Sequence, residues 1–137
     1  MIRLLLALTL LSLPSASYAE SACPKGNLVA GKRGKTVQTT SAFRLTNNTL
    51  AAEGTSWNGA HSAIIAGTSG SVTYDLGQVT GIKSLSIQAD NNDTYIVSVS
   101  DDGTSFSPVW TVPKHPLSGL RTRLMQGLSA KGRYLKV

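Results

Sequence analysis

Seven side chains in two polar stretches have the types and spacing that could do recognition chemistry: Arg44, Trp57, Asn58 and His61 in the first, Asn91, Asn92 and Asp93 in the second. An indole offers a flat apolar face with a polar edge. Amides, a guanidinium, an imidazole and a carboxylate offer paired donors and acceptors beside it. That combination suits a ring-shaped ligand with one C–H face and several hydroxyls. Each feature also has a plainer reading. Trp57 can be a plug beneath a long loop, since large aromatics are mostly buried, and Asn91-Asn92-Asp93 can be an ordinary polar turn.

Catalytic constellations are missing. Gly67-Thr68-Ser69-Gly70 is not a G-x-S-x-G nucleophile elbow and precedes a strand where that motif precedes a helix. His61 and His115 are the only histidines and lack metal-ligand spacing to each other. Glu53, Asp75, Asp90, Asp93, Asp101 and Asp102 fall mostly at turns, where capping of backbone amides accounts for them. The expectation is therefore a protein that is not an enzyme. The formal net charge of +6 is scattered, with Lys32, Arg33 and Lys35 its one tight group. No aromatic platforms alternate with these charges, so a nucleic-acid partner is not expected.

The elements that must position these residues are strands. Apolar residues alternate with polar ones in Val72/Tyr74/Leu76, Leu85/Ile87/Ala89 and Tyr95/Val97/Val99. Turn-forming residues at Gly77–Gly81, Asp90–Thr94 and Asp101–Gly103 divide Ser71–Val112 into four strands, expected to pair consecutively in an antiparallel sheet. Tyr74, Leu85, Ile87, Val97, Val99 and Trp110 are the expected core, with Phe106 on the face of Trp110. Further strands are expected at Thr36–Thr40, Leu120–Met125 and Arg133–Val137. Ser41–Gly70 has neither period and reads as loops with short turns of helix or strand. About seven short strands with frequent turns point to an all-β sandwich.

The N-terminus carries Arg3, an apolar run Leu4–Leu13, Pro14 and the small-residue site Ser17-Tyr18-Ala19. This is the pattern of a secretory signal peptide over residues 1–19, too short in its apolar run to be a transmembrane segment. Residues 20–26 read as a flexible leader and 27–137 as one domain, secreted, periplasmic or at the cell surface. Cys23 is the only cysteine, so stability rests on core burial without an intrachain disulfide. The thiol is either free or, in a lipoprotein reading that Glu20 disfavours, lipidated.

Asn27-Leu28-Val29-Ala30-Gly31-Lys32 resembles the "N-L-A-x-G-K" opening of discoidin domains, also called coagulation factor 5/8 type C domains. Four further features keep the family's order: Trp57, Val72–Gly77 like "w-x-x-v-D-L-G", Tyr95–Phe106 like "y-x-i-x-v-S-x-D-G-x-x-W", and Arg133–Val137 like "a-R-Y-v-R-v". The resemblance covers nearly all of residues 27–137. It implies a galactose-binding-like jelly-roll β-sandwich of antiparallel sheets whose loops, at one end, bind carbohydrate, cell-surface glycoconjugates, anionic lipid headgroups or protein partners. Two departures bear on that expectation. Asn47-Asn48 stands where the family usually has Asp-Gly, which weakens the inference of a calcium ion, because hard cations prefer charged oxygens; no cofactor is expected. The family's final strand does not follow Val137, as in a domain truncated at its C-terminus or continued in a longer chain. Ile64-Ile65 is the one apolar loop tip a membrane-surface role would use, and no basic residue flanks it closely. Carbohydrate binding ranks above that role, and the alternative from another class is a structural or targeting accessory domain of a longer envelope protein.

Overall fold

The alternation that marks the strands also decides which face each one buries. The computed structural model describes residues 21–22 and 26–137; the signal peptide expected at residues 1–19 and the thiol of Cys23 lie outside the described residues. Eleven strands follow one another among the described residues: β1 (Ser21–Ala22), β2 (Lys35–Val37), β3 (Thr39–Thr40), β4 (Thr49–Leu50), β5 (Ile64–Ile65), β6 (Ser71–Ile82), β7 (Leu85–Ala89), β8 (Tyr95–Ser100), β9 (Ser107–Val112), β10 (Arg121–Met125) and β11 (Ala130–Lys136). A single turn of 3-10 helix, Ala42–Leu45, joins β3 to β4.

All pairings are antiparallel. One layer is a five-stranded sheet in the order β2-β6-β11-β8-β9, and the strands outside it form three two-stranded ladders, β10-β7, β1-β4 and β3-β5. This is an all-β jelly-roll sandwich, with non-consecutive neighbours. The expected consecutive pairing along Ser71–Val112 is therefore corrected: β7 leaves the sheet after β6 and pairs with β10, and β11 fills the place between β6 and β8. The expected break at Gly77–Gly81 is also absent, because β6 runs on to Ile82. Gly77, at φ 90°, lets the strand bend without ending it. The partner strand absorbs the irregularity as a register shift between Gly132 and Tyr134.

Ile82, Val97, Val99, Trp110, Val112 and Leu135 form the core cluster, and Tyr74 and Val72 are buried beside it. Leu85 and Ile87 pack against this cluster from β7 but are only partly buried, so the second layer is less closed than the alternation implied. Phe106 does not join Trp110. A register shift where Val97 and Ser98 face β9 breaks the alternation, and the Phe106 ring lies half-buried under the Lys136 ammonium, 4.1 Å from its centroid. Within the stretch expected as a flexible leader, Ser21–Ala22 pairs with Thr49–Leu50. After β11, Val137 still exchanges two backbone hydrogen bonds with Val72, at 2.8 and 3.0 Å.

Candidate functional site

Leu85 and Ile87, only partly buried, share with residues of the five-stranded sheet the lining of a cavity of about 410 Å³. Its lining changes character with depth. Val97, Trp110 and Leu135 lie at the bottom and are nearly inaccessible, whereas Trp57, His61, Asn92 and Asp93 line it from exposed positions and Arg44 from a half-exposed one. Five of the seven side chains singled out in the sequence thus line one cavity, although the two stretches that supply them lie far apart in the chain. Asn58 and Asn91 are not part of it. The Asn58 side-chain oxygen accepts from the Ser56 hydroxyl at 2.7 Å, and Asn91 turns toward His115, whose amide donates to the Asn91 carbonyl at 2.8 Å.

The first stretch is held by tight turns. Arg44 sits on the 3-10 turn, donates from Nη1 to the Ser62 carbonyl at 3.0 Å, and carries its guanidinium 5.5 Å from the centre of the Phe43 ring. Successive turns, Thr55 amide to Ala52 carbonyl, Gly59 to Ser56 and Ser62 to Gly59, shape the segment bearing Trp57 and His61. This segment docks on the chain entering β10: the Gly54 amide donates to the Leu120 carbonyl at 2.9 Å and the Leu120 amide to Thr55 at 2.8 Å. The approach is so close that a Cβ on Gly119 would collide with the Gly54 backbone at its carbonyl. Gln88 extends the docking from β7, accepting from the Ala51 amide and donating to the Ala51 carbonyl, both at 2.8 Å, as a neighbouring strand would. Trp57 remains 49% exposed at the mouth and is not a plug.

The second stretch is pinned by a residue that the sequence did not single out. Arg123, only 7% exposed, donates from Nη1 to the Ala89 carbonyl at 2.9 Å and from Nη2 to the Asp90 carbonyl at 2.7 Å. It therefore fixes the exit of β7 from which Asn92 and Asp93 project. The signal that could have found it is its place on the inward face of β10, two residues before the core-packed Met125. A charged residue on a buried face needs a polar role.

At the mouth the groups are an indole face, a guanidinium, an imidazole, an amide and a carboxylate. Deeper in, the Thr46 hydroxyl donates to the Lys32 carbonyl at 2.8 Å and Gln88 is engaged with Ala51, whereas the buried hydroxyls of Ser62 and Tyr74, which also line the cavity, have no hydrogen-bond partner. Burial pushes the Tyr74 hydroxyl pKa up to about 12, so this group stays protonated at any physiological pH. Among the described residues no group of three or more His, Cys, Asp and Glu could hold a metal ion. The Asn47 side-chain oxygen accepts the Thr49 amide at 3.1 Å, and the Asn48 side-chain oxygen accepts from the Asn27 side-chain amide at 3.4 Å. Ile64 and Ile65, instead of projecting as a tip, pair with Thr40 and Thr39 and line the cavity. Among the described residues no helix is long and apolar enough to cross a membrane.

No family model matches the sequence, and no curated protein matches it. Among solved structures the chain is similar to CpGH89CBM32-5 from Clostridium perfringens, solved in complex with GalNAc-beta-1,3-galactose, at 23% sequence identity and a TM-score of 0.40. The match covers 49% of this chain and 51% of that one, so the chain spans about half the length of that structure. A likeness of this extent assigns neither a family nor a ligand.

Proposed function

We propose that this chain is a non-catalytic binding module that recognises carbohydrate, free or on a cell-surface glycoconjugate, at the mouth of the cavity. The observation that carries this reading is that Arg44, Trp57 and His61 line one cavity together with Asn92 and Asp93, the two stretches lying far apart in sequence. A half-exposed indole can stack on the C–H face of a sugar ring, and the polar groups around it can take adjacent hydroxyls as donor and acceptor pairs. The ordered resemblance of residues 27–137 to discoidin domains supports a ligand held by loops at one end of a sandwich. A signal peptide over residues 1–19 would deliver the domain to the periplasm, the cell surface or the medium, where such ligands are met.

A glycan array probed with the secreted domain, with and without calcium, tests the proposal. At least one class of sugar should be retained, equally with and without calcium, and lost in Trp57→Ala and weakened in His61→Ala. An array without a hit, or hits that are indifferent to both substitutions, would sink the carbohydrate reading.

A further inference from the structure

The cavity is deeper than sugar recognition at its mouth requires. Below Trp57 and Arg44 its lining passes without a partition into Leu85, Ile87, Val97, Trp110, Leu135 and Val137. All six are apolar, and Val97, Trp110 and Leu135 belong to the core cluster itself. A free sugar placed there would surrender the water on several hydroxyls for few replacements, because the Thr46 and Gln88 side chains are already committed to backbone groups and the unpaired hydroxyls of Ser62 and Tyr74 could take only a part of them. An alkyl chain would lose nothing and would fill space that apolar walls do not hold water in. The volume, about 410 Å³, lies within the range of small-molecule sites, roughly 300–1,000 Å³.

Resting on the carbohydrate reading of the mouth, we propose that the ligand is an amphiphilic glycoconjugate, whose sugar is held at Trp57, Arg44, His61, Asn92 and Asp93 while its alkyl or acyl aglycone enters between the two layers. The continuity of one cavity from a polar rim to the apolar core places both halves of such a molecule in a single site. A flat surface platform would read the sugar alone. This site also measures what the sugar is attached to.

Methyl and octyl β-galactoside, and methyl and octyl β-glucoside, serve as probes, the octyl compounds below their micellar concentrations. For at least one sugar the octyl glycoside should bind about tenfold or more tightly than its methyl counterpart, since each buried methylene adds to affinity. In Trp57→Phe, where Trp110 is the one remaining indole, the octyl glycoside alone should shift the emission of Trp110. Ala89→Leu, which adds bulk to a buried lining position, should lower the ratio of octyl to methyl glycoside affinity. Equal affinity for methyl and octyl forms overturns the inference and leaves the carbohydrate reading standing, as does a Trp110 emission unmoved by the octyl glycoside. Absence of octyl glycoside binding also overturns it. Octyl binding that ignores both sugar identity and Arg44→Ala overturns it as well, because the site would then be a plain alkyl pocket and the carbohydrate reading would fall with it.

Discussion

Trp57 and Trp110 are the two tryptophans of the chain and both line one cavity, the first 49% exposed and the second 6%. The same substitution should separate their roles. Trp57→Ala removes little packing, so its melting temperature should stay within a few degrees of the parent while glycan affinity falls about tenfold or more, as expected for the loss of an aromatic anchor. Trp110→Ala empties part of the core cluster and should cost about 3–5 kcal/mol, read as a shift of the denaturant midpoint. Arg123 presents a different case. Its guanidinium donates to the Ala89, Asp90 and Arg121 carbonyls, so Arg123→Leu removes a donor from each, at roughly 1–3 kcal/mol for each carbonyl left unsatisfied. The loss should be larger for ligand binding than Trp57→Ala predicts for stability, because the freed turn carries Asn92 and Asp93. Titration calorimetry beside urea unfolding checks this; full affinity in Arg123→Leu would show that the turn holds its shape alone.

At the scale of elements, the β6–β11 ladder is joined across its irregularity by side chains. Where the register shifts between Gly132 and Tyr134, Arg133 reaches Asp75 with two charge-assisted hydrogen bonds of 2.9 and 2.8 Å, and the same carboxylate accepts the Gly77 amide at 2.7 Å. The bonds from Arg133, and then that from Gly77, hold the Asp75 pKa down at about 2 against an ordinary 3.8. A carboxylate with a lowered folded-state pKa contributes stability that is full above about pH 4 and is lost as pH falls toward 2. Asp75→Asn should therefore flatten the fall in thermal stability between pH 4 and pH 2, which melting curves across that interval measure; an unchanged slope would assign acid sensitivity elsewhere. The contact of Gly54 with Gly119 makes a second test. Gly119 has φ 78° and no room for a Cβ, so Gly119→Ala should cost about 1 kcal/mol or more and loosen the Trp57 segment, lowering glycan affinity with it. Much of this scale was legible in sequence. The alternation of Val72 and Tyr74, or of Leu85, Ile87 and Ala89, announced strands and their inward faces. It was silent on partners, because period two fixes a face and says nothing of the neighbour; hence β7 was expected beside β6, though it pairs with β10. Asp75 and Arg133 both stood in motifs of the resemblance, yet nothing in either motif told that they bind one another. Arg123, Gln88 and the Gly54–Gly119 contact act through backbone groups from distant segments, and backbone positions leave no compositional trace. Asn58 and Asn91 were singled out for their side-chain types, and each is consumed by a local or neighbouring loop.

For the whole molecule the central quantity is the space between its layers. A chain with one cysteine has no internal disulfide to lean on, and its stability must come from packing. An enclosed apolar void as large as this cavity would cost most of what holds a small domain together. Opening past Trp57 relieves that cost only partly, since water entering the floor meets few groups to bond. The unliganded domain should accordingly sit well below the stability its size allows, and the deficit should be recoverable by filling. Ala89→Leu puts three more carbons against the cavity wall from a position that is already buried on β7. If the space beside Ala89 is vacant, the melting temperature should rise by the equivalent of ~0.5–2 kcal/mol, the usual yield of a filled cavity. If the layers close up in solution, the extra carbons overpack the core and stability should instead drop by ~1–3 kcal/mol. The sign of one thermal shift, measured without ligand, therefore decides whether the gap between the layers is a standing feature of the fold, and a standing gap is what allows a ligand to enter without first prising two sheets apart.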